Sequence, residues 1–144
     1  MILYLDSSAL VKRYVVEAGT AAVNAVIAEA DVAGTSLISR AEVAAALARA
    51  VRMNVLPRDD AATALRAFRS QWVDLMRIQI TEAIIARADA LAWEYGLRGY
   101  DAVHLAGAQF WQEALGEPVT LATFDRQLWQ AAKPAGLAAW PNKL

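Results

Sequence analysis

Four acidic residues, Asp6, Glu42, Asp101 and Asp125, stand where short apolar segments give way to helical patterns. Asp6 and Asp125 closely follow strand-like runs, and Glu42 lies in the first turn of the helix that follows another such run. Asp101 lies in the first turn of a helical pattern that follows no obvious strand. Because ligands bind beyond the carboxyl ends of the strands in open parallel sheets, we expect at least three of these carboxylates at one sheet edge.

Carboxylates that converge repel one another unless a cation or protons balance them. The chain has no cysteine and a single histidine, His104. This composition excludes thiol nucleophiles, disulfide scaffolds, zinc ribbons, iron–sulfur clusters and multi-histidine metal sites. A balancing metal would therefore bind through oxygen atoms, which favours Mg²⁺ or Mn²⁺.

Each of the four acids also has a purely structural explanation. Ser39-x-x-Glu42 is typical of a capping box, in which the serine and the glutamate satisfy two backbone amides at the start of a helix. Asp6, Asp101 and Asp125 could each cap a helix or lie in its first turn, where the helix dipole favours a negative charge. Only their joint placement at one edge favours a binding site over separate caps.

Strand-like and helical patterns alternate along the whole chain, without a linker or a repeat. The expected strands cover 2–5, 32–38 and 119–123, with weaker candidates at 77–80 and 137–140. The expected helices cover 9–17, 21–29, 39–53, 57–76, 84–95, 99–115 and 125–132. Short, continuous apolar strands are typical of a parallel sheet covered on both faces by helices. We therefore predict a single α/β domain over residues 1–144.

The composition is that of a folded protein. Hydrophobic residues make up 58 % and charged residues 20 % of the 144 residues, which excludes disordered and collagen-like chains. The longest runs without a charged side chain, 18–28 and 102–112, are 11 residues each. A spanning helix needs about 20. Asp6 interrupts the apolar start, and no basic segment precedes it, so we expect no signal peptide and a cytoplasmic protein without a membrane partner.

The net charge of −1 neither favours nor excludes a nucleic-acid partner. Five basic residues near the motifs could guide phosphates, although a solvated surface is an equally good explanation for them. They are Lys12, Arg13, Arg40, Arg98 and Arg126. His104 could serve as a general base, but its apolar surroundings favour packing.

Four segments, in this order, resemble the PIN domain family and, within it, the VapC-type toxin ribonucleases. They are LYLDSSALVKRY at 3–14, Ser39-Arg-Ala-Glu42, Arg98-Gly-Tyr-Asp-Ala-Val-His-Leu-Ala106 and Ala122-Thr-Phe-Asp125. The resemblance implies a three-layer α/β/α fold with a short central parallel sheet of about five strands. It also implies that Asp6, Glu42, Asp101 and Asp125 bind Mg²⁺ or Mn²⁺, supported by the hydroxyls of Ser8 and Thr123.

The activity implied by this resemblance is metal-dependent cleavage of tRNA, rRNA or mRNA. The implied partners are an antitoxin protein and a second copy of the chain in a homodimer. Two divalent ions would balance four carboxylates, and would promote phosphodiester hydrolysis by activating water and stabilising the leaving oxygen. No ribose 2′-hydroxyl is needed, so the expected products carry 5′-phosphate and 3′-hydroxyl ends.

Two other functions remain open from the sequence. A catalytically silent module could keep the fold to bind an antitoxin or RNA. A phospho-acceptor receiver domain would share the acidic Mg²⁺ pocket, and Lys133-Pro134 resembles its lysine–proline turn. Receivers, however, place an acidic pair after the first strand, where this chain has Asp6 followed by two serines.

Overall fold

A computed structural model describes all 144 residues and has five strands and seven α-helices. The strands are β1 (Ile2–Leu5), β2 (Val32–Ser36), β3 (Met76–Ile78), β4 (Val119–Ala122) and β5 (Ala138–Trp140). The α-helices are α1 (Ser7–Leu10), α2 (Thr20–Glu29), α3 (Ser39–Arg52), α4 (Arg58–Gln71), α5 (Glu82–Tyr95), α6 (Gly99–Leu115) and α7 (Arg126–Ala132). Short 3-10 helices follow α1, at Val11–Arg13, and α4, at Trp72–Asp74.

The strands form one parallel sheet in the order β3-β2-β1-β4-β5. Side chains alternate across β1, the central strand, so that its two faces contribute to different cores. Leu3 and Leu5 pack into a core with residues of α1 to α4, and Tyr4 packs into the other core with residues of α5 to α7. Helices therefore cover both faces, which confirms the predicted three-layer α/β/α fold.

Helix α6 packs closely against the sheet. An added Cβ at Gly34 of β2 would lie 2.7 Å from the indole ring of Trp111 on α6, closer than real contacts allow. A side chain at position 34 would therefore displace Trp111 and the helix that carries it. The first turn of the same helix holds Asp101. No helix of the structure is both long enough and apolar enough to cross a membrane.

The predicted helix over 9–17 is wrong. The chain instead forms α1 and one 3-10 turn, and then leaves the helical path after Arg13. The Thr20 hydroxyl donates to the Val15 carbonyl (2.7 Å) and accepts from the Glu17 amide (3.0 Å). These two bonds satisfy the backbone of the turn that leads into α2 and replace the helical bonds that residues 15–17 would have made.

The predicted capping box at Ser39 is also wrong. Ser39 is the first residue of α3, Ile38 is its N-cap, and no side chain caps this helix. The Ser39 hydroxyl lies 2.6 Å from the Thr35 hydroxyl, which itself donates to the Leu5 carbonyl, also at 2.6 Å. The serine thus fastens α3 to the ends of β1 and β2, and Glu42 makes its contact elsewhere.

Other boundaries also differ from the prediction, most of them by one or two residues; the strand expected over 32–38, for example, ends at Ser36. The helix expected over 57–76 ends at Gln71, because a 3-10 turn and β3 take up the residues that follow. The strand expected at 77–80 is β3, which begins one residue earlier, at Met76, and ends two residues earlier, at Ile78. The 3-10 turn between α4 and β3 lets the chain enter the sheet, where Ile78 pairs with Ser36 of β2.

Candidate active site

All four predicted carboxylates line one cavity of about 290 Å³ beyond the carboxyl ends of β1 and β4. Its lining residues are Asp6, Ser7, Ser8, Glu42, Arg98, Tyr100, Asp101, Phe124 and Asp125. Larger hollows elsewhere on the surface, of about 610 and 590 Å³, each have a single acidic residue in their lining. Chemical composition, rather than size, therefore distinguishes this cavity.

Asp6 is the most enclosed of the four acids, with 2 % of its surface exposed. As the N-cap of α1, it accepts the Ala9 amide (2.9 Å) and the Ser8 hydroxyl (2.7 Å) at Oδ1. Its Oδ2 accepts the Thr123 hydroxyl at 2.6 Å. Burial raises the pKa of the Asp6 carboxyl, and these hydrogen bonds counteract part of that rise. Asp6 thus both caps α1 and lines the cavity.

Asp101 and Asp125 share one arginine. Arg98 donates from Nε to Asp101 Oδ2 and from Nη2 to Asp125 Oδ2, both at 2.9 Å. Asp125 also caps α7, because its Oδ1 accepts the Leu128 amide at 2.9 Å. Burial raises the pKa of the Asp101 carboxyl, and nearby Asp125 raises it further, while the Arg98 hydrogen bond lowers it. Arg98 therefore supplies the positive charge between two carboxylates that would otherwise repel.

Glu42 is held by the single histidine. Its Oε1 lies 2.6 Å from His104 Nε2, and the other ring nitrogen, Nδ1, lies 3.0 Å from the Tyr4 hydroxyl. His104 is 1 % exposed and Tyr4 is fully buried. The sequence favours a packing role for His104 and does not predict its contact with Glu42. Two sequence patterns bear on these contacts. The 3.6-residue period of a helix puts His104 near Asp101 on α6, and the alternation of side chains along β1 turns Tyr4 toward α6.

Arg98 is the only one of the five predicted phosphate-guiding residues that lines the cavity. Arg13 donates to Gln71 at 3.1 Å, and Arg40 lies over the Trp72 ring at 5.9 Å. Lys12 donates to the Ala18 carbonyl at 2.9 Å, and Arg126 is an exposed residue at the start of α7. The structure thus gathers the acids but not the bases.

The donor set suits a hard divalent cation. Four carboxylates face a single guanidinium in the cavity, and burial already raises the pKa of two of them, Asp6 and Asp101. Such an environment favours a balancing cation. No three acidic or histidine side chains form a ready ligand group, however. Arg98 and His104 bond to three of the carboxylates. A metal that binds Asp101 and Asp125 would displace Arg98 from them.

The family model of the PIN domain matches residues 3–134. The chain belongs to the PIN domain family. This PIN domain is 35 % identical over 144 residues to Ribonuclease VapC45 of Mycobacterium tuberculosis (strain CDC 1551 / Oshkosh), an alignment that covers 99 % of this chain and 97 % of that protein. The match decides against the receiver-like alternative.

Solved structures show the same fold. PAE2754 from Pyrobaculum aerophilum superposes with a TM-score of 0.66 at 22 % identity, covering 96 % of this chain and 83 % of that one. A chain of a toxin–antitoxin complex from Klebsiella pneumoniae superposes with a TM-score of 0.61, also at 22 % identity, and covers 87 % of each chain. The architecture of this PIN domain is therefore that of known proteins, while its cavity must be interpreted from its own residues.

Proposed function

We propose that this PIN domain is a metal-dependent endoribonuclease, the toxin of a VapBC-type toxin–antitoxin pair, that cleaves tRNA, rRNA or mRNA. One observation carries the proposal: Asp6, Glu42, Asp101 and Asp125 line a single cavity in a chain that aligns end to end with a ribonuclease VapC. Four converging carboxylates are costly for a protein that only needs helix caps.

The proposed metal ligands are Asp6, Asp101, Asp125 and Glu42. Bound there, Mg²⁺ or Mn²⁺ would polarise the scissile phosphodiester and lower the pKa of water, so that hydroxide is available to attack it. The Ser8 and Thr123 hydroxyls fix both oxygens of Asp6, so this carboxylate enters the reaction already oriented.

Arg98 and Glu42 have separate tasks in this proposal. Arg98 is 71 % exposed in its side chain, and it can leave the two aspartates to contact an RNA phosphate. Glu42, whose side chain is 23 % exposed, keeps access to solvent and can orient the attacking water or serve as a ligand. Water attacks in place of the ribose 2′-hydroxyl and O3′ is the proposed leaving group, so the products would carry 5′-phosphate and 3′-hydroxyl ends.

The proposed partners are an RNA substrate, a cognate antitoxin and a second copy of the chain in a homodimer. The Klebsiella pneumoniae relative of the fold was solved as a toxin–antitoxin complex. An apolar hollow of about 400 Å³ between α3 and α4, which includes Leu47, Val51 and Leu65, offers a place for an antitoxin helix or the second copy. A cytoplasmic location belongs to the proposal, because RNA is available there.

The test is cleavage of total RNA by the purified protein with Mn²⁺ or Mg²⁺, with EDTA, and by the variant Asp6→Asn. Asp89→Asn is the matched control, because it makes the same chemical change on the exposed face of α5, outside the cavity. We expect discrete cuts that require metal, persist in Asp89→Asn and disappear in Asp6→Asn. The absence of cuts in every lane would favour the silent binding module, and cuts that survive Asp6→Asn would contradict the proposed site.

A further inference from the structure

A chain of hydrogen bonds connects the sheet to the cavity through the side chain of His104 on α6. Tyr4 of β1 contacts His104 Nδ1 at 3.0 Å, and His104 Nε2 contacts Glu42 Oε1 of α3 at 2.6 Å. Tyr4 and His104 are both shielded from water, with 0 % and 1 % of their surfaces exposed. Glu42 is therefore the only member of the chain that reaches the cavity.

Gly107 makes room for this contact. It lies one helical turn beyond His104 on α6, and an added Cβ there would stand 3.2 Å from the Tyr4 hydroxyl. Without that Cβ, the hydroxyl lies against the helix backbone and meets the imidazole of His104. The tyrosine and histidine rings pack edge to face, with their centroids 5.9 Å apart. The geometry thus fixes both ends of the imidazole.

The chemistry of the partners determines where the ring proton resides. An ionised carboxylate only accepts hydrogen bonds, so His104 Nε2 must carry a hydrogen to bond Glu42. A neutral tyrosine hydroxyl has one O–H donor, and the Tyr4 hydroxyl lies 3.0 Å from His104 Nδ1. The hydroxyl can therefore donate to Nδ1, which then accepts.

We propose that His104 is a positioning residue of the RNA-cleaving site, held by Tyr4 as the Nε2–H tautomer so that it orients the Glu42 carboxylate in the cavity. The part of this proposal that concerns cleavage rests on the proposed function. The tautomer itself does not, because it follows from contacts within the folded chain.

The direct test is nitrogen NMR of the metal-free protein labelled with ¹⁵N-histidine. His104 is the only histidine, so the spectrum reports on this ring alone. We expect a protonated Nε2 and an unprotonated Nδ1 in the parent protein. In Tyr4→Phe, which keeps the ring but removes the donor, we expect Nδ1 to lose its hydrogen bond and the tautomer preference to weaken.

Tyr14→Phe is the matched control. Its hydroxyl also donates one hydrogen bond, to Gln71 at 2.9 Å, but it packs in the other core, and we expect the His104 signals to stay unchanged. An Nδ1–H tautomer or a doubly protonated ring in the parent protein would overturn the proposal. So would a His104 spectrum that does not respond to Tyr4→Phe.

Cleavage kinetics test the effect on Glu42. Tyr4→Phe and His104→Leu should each lower kcat about 10-fold with little change in KM, as losses of an outer hydrogen-bond partner commonly do. His104→Gln should recover part of the loss, because its amide can donate from near the Nε2 position. Equal losses in His104→Gln and His104→Leu would show that the histidine acts only through packing and would overturn the proposal.

The proposal can still be tested if a variant does not fold or if the parent protein is inactive. If His104→Leu fails to fold, Tyr4→Phe still separates the hydrogen bond from packing, since only one buried hydroxyl changes. If the parent protein cleaves no RNA, the proposed function fails, while the NMR result still confirms or refutes the tautomer.

Discussion

At the scale of single residues, the cavity holds more negative charge than its one arginine balances. Asp101 and Asp125 share Arg98, Glu42 is bonded to His104, and Asp6 is enclosed by hydroxyls and a backbone amide. Excess negative charge of this kind destabilises the metal-free protein, whereas it favours the binding of a cation. The stability of the metal-free protein therefore tests whether these residues are arranged to bind a cation.

The variant Asp6→Asn should be at least as stable as the parent in the absence of metal. Burial raises the pKa of Asp6, so above that pKa the ionised carboxylate costs free energy that a neutral amide of the same size avoids. We expect an equal or higher Tm in EDTA, and a smaller rise in Tm with Mn²⁺ than in the parent. A clear fall in the Tm of the metal-free variant would contradict this view of Asp6.

The variant Arg98→Gln should respond to metal more strongly than the parent. It leaves Asp101 and Asp125 facing each other without a guanidinium, which lowers the Tm in EDTA and removes a competitor for Mn²⁺. Thermal melts with and without Mn²⁺ measure both effects. Arg126→Gln, a nearby exposed arginine outside the cavity lining, is the control and should change neither.

At the scale of elements, the loops and helix starts at one edge of the sheet bring the four acids together. The strand ends place Asp6 and Asp125, and the start of α6 places Asp101. The position of α6 in turn depends on close packing over Gly34 of β2.

Gly34→Ala tests this packing. The added methyl would meet the Trp111 ring at 2.7 Å, and overpacking of this kind costs about 1–3 kcal/mol. Urea denaturation should show this loss of stability. Gly99→Ala is the control, since an added Cβ there has no neighbour within 4 Å, and it should leave the stability unchanged or slightly higher.

The sequence predicts elements far better than contacts between them. The apolar runs indicate β1 and β4, and therefore the placement of Asp6 and Asp125, because strand ends are local features. The capping box at Ser39 fails because the Thr35 hydroxyl offers the serine a tertiary partner. The bond between Tyr4 and His104 joins residues 100 positions apart, and no local pattern contains it.

At the scale of the whole molecule, the net charge is −1 and Arg98 is the only basic residue in the cavity lining, so we expect few cations to contact the proposed RNA substrate. Binding of single-stranded RNA releases counterions in proportion to phosphate contacts, with a slope of about −0.7 per contact in a plot of log K against log salt. We expect a shallow total slope of about −1 to −2 for Asp6→Asn, measured by fluorescence anisotropy at several salt concentrations. A much steeper slope would reveal a basic RNA-binding surface elsewhere.

The ends of the cleaved RNA test the central claim most directly. If carboxylates and a divalent ion direct water to the phosphodiester, each cut leaves a 5′-phosphate and a 3′-hydroxyl, and no cuts form with EDTA or in Asp6→Asn. Sequencing that distinguishes phosphate from hydroxyl ends would read this result at every cut. Fragments with 2′,3′-cyclic phosphate ends, formed equally by the parent and by Asp6→Asn, would show that the acidic cavity does not perform the reaction.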